Sequence, residues 1–108
     1  MIVVDTSAII AVMDAGDRDH DAVASWITGT EADLVTTPLI VAEADHLVGA
    51  RGGRAARDAL WADLRRGAYL VDWWPTATSE TVSVATRYSD RDLGLADASL
   101  VALAERHG

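Results

Sequence analysis

A chain of 108 residues without a cysteine has the size of one domain that can bury a core, and it excludes disulfide and thiolate chemistry. Its formal net charge of −8 argues against tight nucleic-acid binding by phosphate contacts alone. No apolar run approaches the roughly 20 residues that cross a bilayer, and an apolar strand pattern from residue 2 predicts neither signal nor transit peptide, hence a cytoplasmic protein.

Ile2-Val3-Val4 has the composition of a strand buried on both faces of a parallel sheet. Asp5 follows at its carboxyl end, where ligands collect in open parallel sheets. A helix is expected from Ser7 to Asp14, so Asp5 also suits the capping of free helix N–H groups. The next helix, His20 to Thr28, carries Trp26 with Val23 and Ile27, which assigns that ring to the core. Leu34–Thr36 is the second strand. Thr37 then caps, and Pro38 opens, a helix running to about Ala50. In it Ile40, Glu43 and Leu47 fall at i, i+3 and i+7, which places Glu43 on the apolar stripe. A buried carboxylate needs a partner, and no arginine stands three or four residues away.

Gly49 to Arg54 reads as a loop into a helix from about Gly53 to Arg66. There Trp61 is expected to pack with Leu60 and Leu64. Arg54, Arg57 and Arg65 are expected to form a solvated face paired with Asp58 and Asp63 rather than an RNA track. Tyr69–Trp73 is the third strand, and Trp73-Trp74-Pro75 points side chains to opposite faces, so at least one ring reaches the surface. Helices from about Ser79 to Tyr88 and from about Ala96 to His107 complete the chain. Asp97, in the first turn of the last helix, is favoured by the helix dipole by about 0.3–1 kcal/mol. His20, His46 and His107 are isolated, without a nucleophile partner, and receive no catalytic role.

Short strands alternating with helices predict an α/β fold with parallel strands and crossover helices. All strand carboxyl ends then lie on one side, and that side gathers Asp5 with the starts of the helices bearing Glu43 and Asp97. Clustered carboxylates without cysteine or paired histidines suit Mg²⁺ or Mn²⁺ rather than zinc.

The segments VVDTSAI, TTPLIVAEADHLV and YSDRDLGLADASLVALAERHG, in this order, resemble the three acidic motifs of the PIN-domain ribonucleases, especially the VapC-type toxins of prokaryotic toxin–antitoxin pairs. The resemblance runs from residue 1 to the end. It implies a three-layer sandwich with a central parallel sheet flanked by helices. The family's catalytic, metal-binding acids fall on Asp5, Glu43 and Asp97. Asp90 and Asp92, in the third segment, and Ser7 and Ser99, which follow acids at helix starts, read as capping residues or as supports around the metal and its water. The implied activity is Mg²⁺- or Mn²⁺-dependent endonucleolytic cleavage of RNA by a homodimer, inhibited by a small cognate antitoxin. An acidic surface suits an Arg-rich segment of that partner, and the Trp73–Trp74 pair suits a dimer or antitoxin contact.

The family continues with a further strand bearing a Thr-x-Asp motif beside the first strand. Its absence here predicts a single PIN-like domain over 1–108 with an open apolar edge at Ile2–Asp5, either truncated at its C-terminal end or covered at that edge by a neighbouring molecule. Two other readings accommodate the same acids. A catalytically inactive PIN-like scaffold that only binds its partner is favoured by the missing fourth acid. A phospho-acceptor signalling domain also places an Asp at a strand end, but it wants a lysine opposite, and the chain has none.

Overall fold

The computed structural model describes residues 1–108. The elements run β1 (Ile2–Val3), α1 (Thr6–Met13), α2 (His20–Thr28), β2 (Leu34–Thr36), α3 (Pro38–Arg65), β3 (Leu70–Val71), α4 (Ala77–Arg87), a 3-10 turn (Ser89–Arg91) and α5 (Leu95–Arg106). Ile2 and Val3 of β1 pair in parallel with Leu34 and Val35, and Val35 and Thr36 pair in parallel with Leu70 and Val71. The strand order β1-β2-β3 puts β2 at the centre and leaves β1 at an edge. This is the expected α/β architecture, a parallel sheet flanked by helices.

Side chains alternate across a strand, and the two faces seed two cores. Val4 joins Ile9, Ile10, Ile40, Ala44, Val48 and Leu60 on the side of α1 and α3. Val35 joins Trp74, Ala77, Val84, Ala98 and Leu103 on the side of α4 and α5. Ile9, Ile40, Leu60 and Leu103 are sealed from solvent, and burying such a side chain contributes about 1.5–3 kcal/mol. As an edge strand β1 is less enclosed than its composition predicts: Val4 is buried, but Ile2 and Val3 only partly. The third strand is shorter than expected, because Tyr69 turns into the first core before the pairing begins at Leu70.

The loop expected at Gly49 to Arg54 contracts to one residue. Hydrogen-bonded helix continues to Arg65, interrupted only by Gly53 at φ +71°, ψ −162°. In a straight helix Asp45 and Trp61 would stand about 24 Å apart, yet Trp61 Nε1 donates to Asp45 Oδ1 at 2.6 Å. The chain therefore doubles back at Gly53. Arg57 completes the brace by donating Nε and Nη2 to the two Asp45 oxygens at 3.1 and 2.9 Å. These bonds, Arg57's first and then that of Trp61, hold the Asp45 carboxyl below its ordinary pKa. On the other side of the pair the bonds to Asp45, and then its charge, raise Arg57. Gly49 leaves room for the brace, since a Cβ there would stand 3.3 Å from the guanidinium.

Three aromatic placements follow from this packing. Trp61 is 45% exposed, lying under Arg54 and Arg57 with guanidinium carbons 5.9 and 5.7 Å from its ring centre. Leu60 takes the inward position, so Trp61 lies outside the first core. Trp26 is likewise 54% exposed and not core, because α2 packs on α1 and buries no residue completely. Of the Trp73–Trp74 pair one ring surfaces, as expected: Trp73 is 38% exposed and Trp74 5%. Arg54 pairs with Asp58, and Arg66 rather than Arg65 pairs with Asp63, so the predicted solvated face is present with Arg57 turned instead to Asp45.

Candidate active site

Asp5 is held from two directions. Upstream, Val4 donates its N–H to Val35 O at 2.9 Å, and the buried Thr36 hydroxyl donates to Val4 O at 2.9 Å. Downstream, Asp5 is the N-cap of α1, its Oδ1 accepting from Ala8 N at 2.8 Å. Capping and a rim position therefore coexist in one side chain. The second oxygen, Oδ2, has no protein partner.

Asp97 is the third residue of α5, behind Gly94, which supplies no side-chain cap. The first-turn position favours its negative charge. Asp5 and Asp97 line one shallow pocket, with Val3, Leu93, Leu100 and Val101 among its walls. Both are exposed, and neither lies within 4.0 Å of an arginine.

Glu43 is placed differently from the expectation. The buried stripe of α3 is Ile40, Ala44 and Val48, spaced i, i+4, i+8. One residue is about 100° of helix rotation, so Glu43 turns away from that stripe and is exposed. It lacks the apolar surroundings that its spacing predicts, and it does not line the pocket of Asp5 and Asp97. No three acids or histidines in the chain stand close enough to hold one ion together.

The helix that carries Glu43 is nonetheless tied to the one that carries Asp97. Thr37 accepts from Ile40 N at 3.2 Å, and its hydroxyl lies 2.7 Å from that of Ser99, which donates to Ala96 O at 2.6 Å. Ser99 is fully buried in this chain of bonds, so its hydroxyl is not offered to water at the acidic pocket. Ser7 is exposed and lines a separate hollow with Asp17, Arg18, Asp19 and Arg51. Asp90 lies in the 3-10 turn, and Asp92 follows it at φ +50°. Both are exposed, and neither side chain caps a helix.

A broader groove between α4 and α5 is lined by Glu80, Arg87, Glu105 and Arg106. Its charges are already matched: Arg87 pairs with Glu105 at 2.6 Å, Arg106 lies 3.5 Å from Asp72, and Glu80 accepts from Trp74 and Thr76. The unpaired carboxylates of Asp5 and Asp97 have the chemistry of a hard-cation site. Magnesium is commonly bound through one or two carboxylates together with waters and substrate phosphates, and Asp5 Oδ2 and the Asp97 carboxylate are the donors this pocket would offer it.

Residues 2–108 match the family model described as PIN domain. The chain belongs to the PIN-domain family. This PIN domain is 37% identical over 107 residues to ribonuclease VapC26 of Mycobacterium tuberculosis, covering 98% of the present chain and 79% of that relative. Its fold is similar to that of the VapC20 crystal structure, a sarcin-ricin loop cleaving toxin of Mycobacterium tuberculosis, with a TM-score of 0.88. That comparison covers 100% of this chain and 84% of the other at 24% identity. The VapC-type resemblance carried by the three acidic segments thus extends to both sequence and fold.

Proposed function

We propose that this PIN domain is an endoribonuclease toxin that uses Mg²⁺ or Mn²⁺ at Asp5 and Asp97, with Glu43 as the third functional acid. The observation that carries the reading is the meeting of two arginine-free carboxylates at the mouth of a parallel sheet, in a chain 37% identical to a protein named as a ribonuclease. A divalent cation there supplies a lowered pKa for the attacking water and charge stabilisation for the departing oxygen. Asp5 Oδ2 and the Asp97 carboxylate would hold the cation. Glu43, exposed one and a half turns along α3 and outside the wall of their pocket, would accept the proton of the attacking water.

Incubating the protein with Mn²⁺ and cellular RNA tests this directly. Discrete fragments, lost in Asp5→Asn and Asp97→Asn, support the nuclease; intact RNA with a folded protein counts against it. A second reading, an inactive PIN-like scaffold that only binds a partner, draws on the exposed position of Glu43 outside the two-acid pocket. Intact RNA together with tight partner binding selects it.

A small cognate antitoxin with an Arg-rich segment is the partner that the net charge of −8 suits, and weaker binding at raised salt is the expected signature. Homodimerisation is proposed alongside it, supported by the exposed Trp26, Trp73 and Val82; light scattering on the purified protein measures it. No helix is long and apolar enough to cross a membrane, and a cysteine-free chain is compatible with work in the cytoplasm.

A further inference from the structure

The chain has nine arginines and no lysine. Seven of the nine lie within 4.0 Å of a carboxylate; Arg65 and Arg91 do not. Arg65 ends α3 shortly before β3 begins, at the N-terminal edge of the sheet and away from the acids. Arg91 ends the 3-10 turn, and Leu93, two residues on, lines the pocket of Asp5 and Asp97. Two residues of chain span at most about 7 Å, so the Arg91 backbone lies within that reach of the pocket wall formed by Leu93.

The turn holds Arg91 in a defined position. Its N–H donates to Tyr88 O at 2.9 Å, and Asp92 N donates to Ser89 O at 3.3 Å. Asp92, at φ +50°, is the one non-glycine residue with positive φ, a conformation aspartate tolerates better than most. The Arg91 guanidinium carbon lies 5.7 Å from the centre of the Tyr88 ring, and that ring is seated against the second core. The other arginine on the ring, Arg87 at 5.3 Å, is held by Glu105. Arg91 is therefore oriented by an aromatic face while its N–H donors remain without a carboxylate. In so acidic a chain, an oriented and unpaired guanidinium on the segment that leads into the pocket of two carboxylates matches a phosphate that must approach those carboxylates.

We propose that Arg91, held over Tyr88 on the segment that leads into the pocket formed by Asp5 and Asp97, binds a backbone phosphate of a single-stranded RNA and positions the strand over the acids. The inference rests on the ribonuclease reading above. A guanidinium grips phosphate in a two-pronged geometry, and arginine planes and aromatic rings are the surfaces on which unstacked bases rest.

Fluorescence anisotropy of a short labelled oligouridylate, recorded in chelator so that no cleavage occurs, tests the assignment. Arg91→Ala is expected to weaken binding about fivefold or more and to reduce the slope of log affinity against log salt by about 0.7, the contribution of one phosphate contact on a single strand. Arg91→Lys keeps the slope, and Arg65→Ala changes neither quantity. In cleavage, Arg91→Ala raises KM and leaves kcat, as loss of uniform binding does.

Wild-type affinity and slope in Arg91→Ala, an equal loss in Arg65→Ala, or a wild type that does not bind the oligonucleotide would each overturn the proposal. Efficient cleavage with unchanged KM in Arg91→Ala overturns this inference and leaves the ribonuclease reading standing. Arg91-dependent binding in a protein whose Asp5→Asn and Asp97→Asn variants cleave like wild type does the reverse.

Discussion

The hydroxyls of Thr37 and Ser99 meet at 2.7 Å in a buried contact that joins the first residue before α3 to the second turn of α5. Ser99 has one proton and directs it to Ala96 O, so Thr37 donates to Ser99 while accepting from Ile40 N. The bonds run in one direction from the start of one acid-bearing helix to the start of the other.

Ser99→Ala deprives the Thr37 hydroxyl of its acceptor in a site closed to water. An unsatisfied buried group of this kind costs about 1–3 kcal/mol. Urea denaturation should show a loss of that size, whereas Thr37→Ser, which keeps the hydroxyl, should lose less.

Gly53 at φ +71°, ψ −162° has open space where a Cβ would stand. The demand is therefore on the backbone and not on neighbours. Gly53→Ala should destabilise by about 1–3 kcal/mol, the usual penalty for a side chain held in such a conformation, while Gly67→Ala, at a second positive-φ glycine, reports the effect of an ordinary turn. Chemical denaturation of both variants measures the difference.

Because Asp45 has a folded pKa below the ordinary carboxylate value of 3.8, its contribution to stability is present above that value. It is lost as pH falls through 3.8 toward the lower folded value. Urea midpoints followed downward from about pH 5 should fall less steeply in Asp45→Asn than in wild type over that window. An identical pH slope in the two proteins would show that the Arg57 and Trp61 bonds to Asp45 do not persist in solution.

Asp97→Asn leaves the fold intact, since the side chain is exposed and makes no salt bridge. Mn²⁺ binding followed by calorimetry should weaken about tenfold or more, the scale on which changes around a metal site register, with an unchanged circular dichroism spectrum. Chelator should abolish RNA cleavage by wild type, and added Mg²⁺ or Mn²⁺ should restore it.

Much of the frame was legible because it depends on local signals. Thr37-Pro38 announces a cap and a first helical turn, and α3 begins there. His20 to Thr28 and Leu34 to Thr36 coincide with α2 and β2. What local pattern does not settle is rotation about a helix and closure at a distance. Glu43 illustrates the first: the stripes i, i+3, i+7 and i, i+4, i+8 differ by one residue, and Ala44, small and weakly hydrophobic, marks the true inward face only once packed. Trp61 illustrates the second, since its partner Asp45 is brought back to it by the reversal at Gly53. Trp26 lies outside the core because the hydrophobic face of α2 finds only α1 to cover it. Arg91 left no signal beyond its place in the third acidic segment, because being unpaired is a property of the folded surface.

The bond from Ala8 to one Asp5 oxygen divides the work within a single carboxylate. With Oδ1 engaged by the start of α1, Oδ2 is the oxygen without a protein partner, so it is the one that would be offered to a cation held between Asp5 and Asp97. An amide at position 5 can keep its carbonyl oxygen on the Ala8 N–H and turn an NH₂ toward the pocket. The same substitution thereby preserves the start of the helix while reversing the polarity presented to a cation.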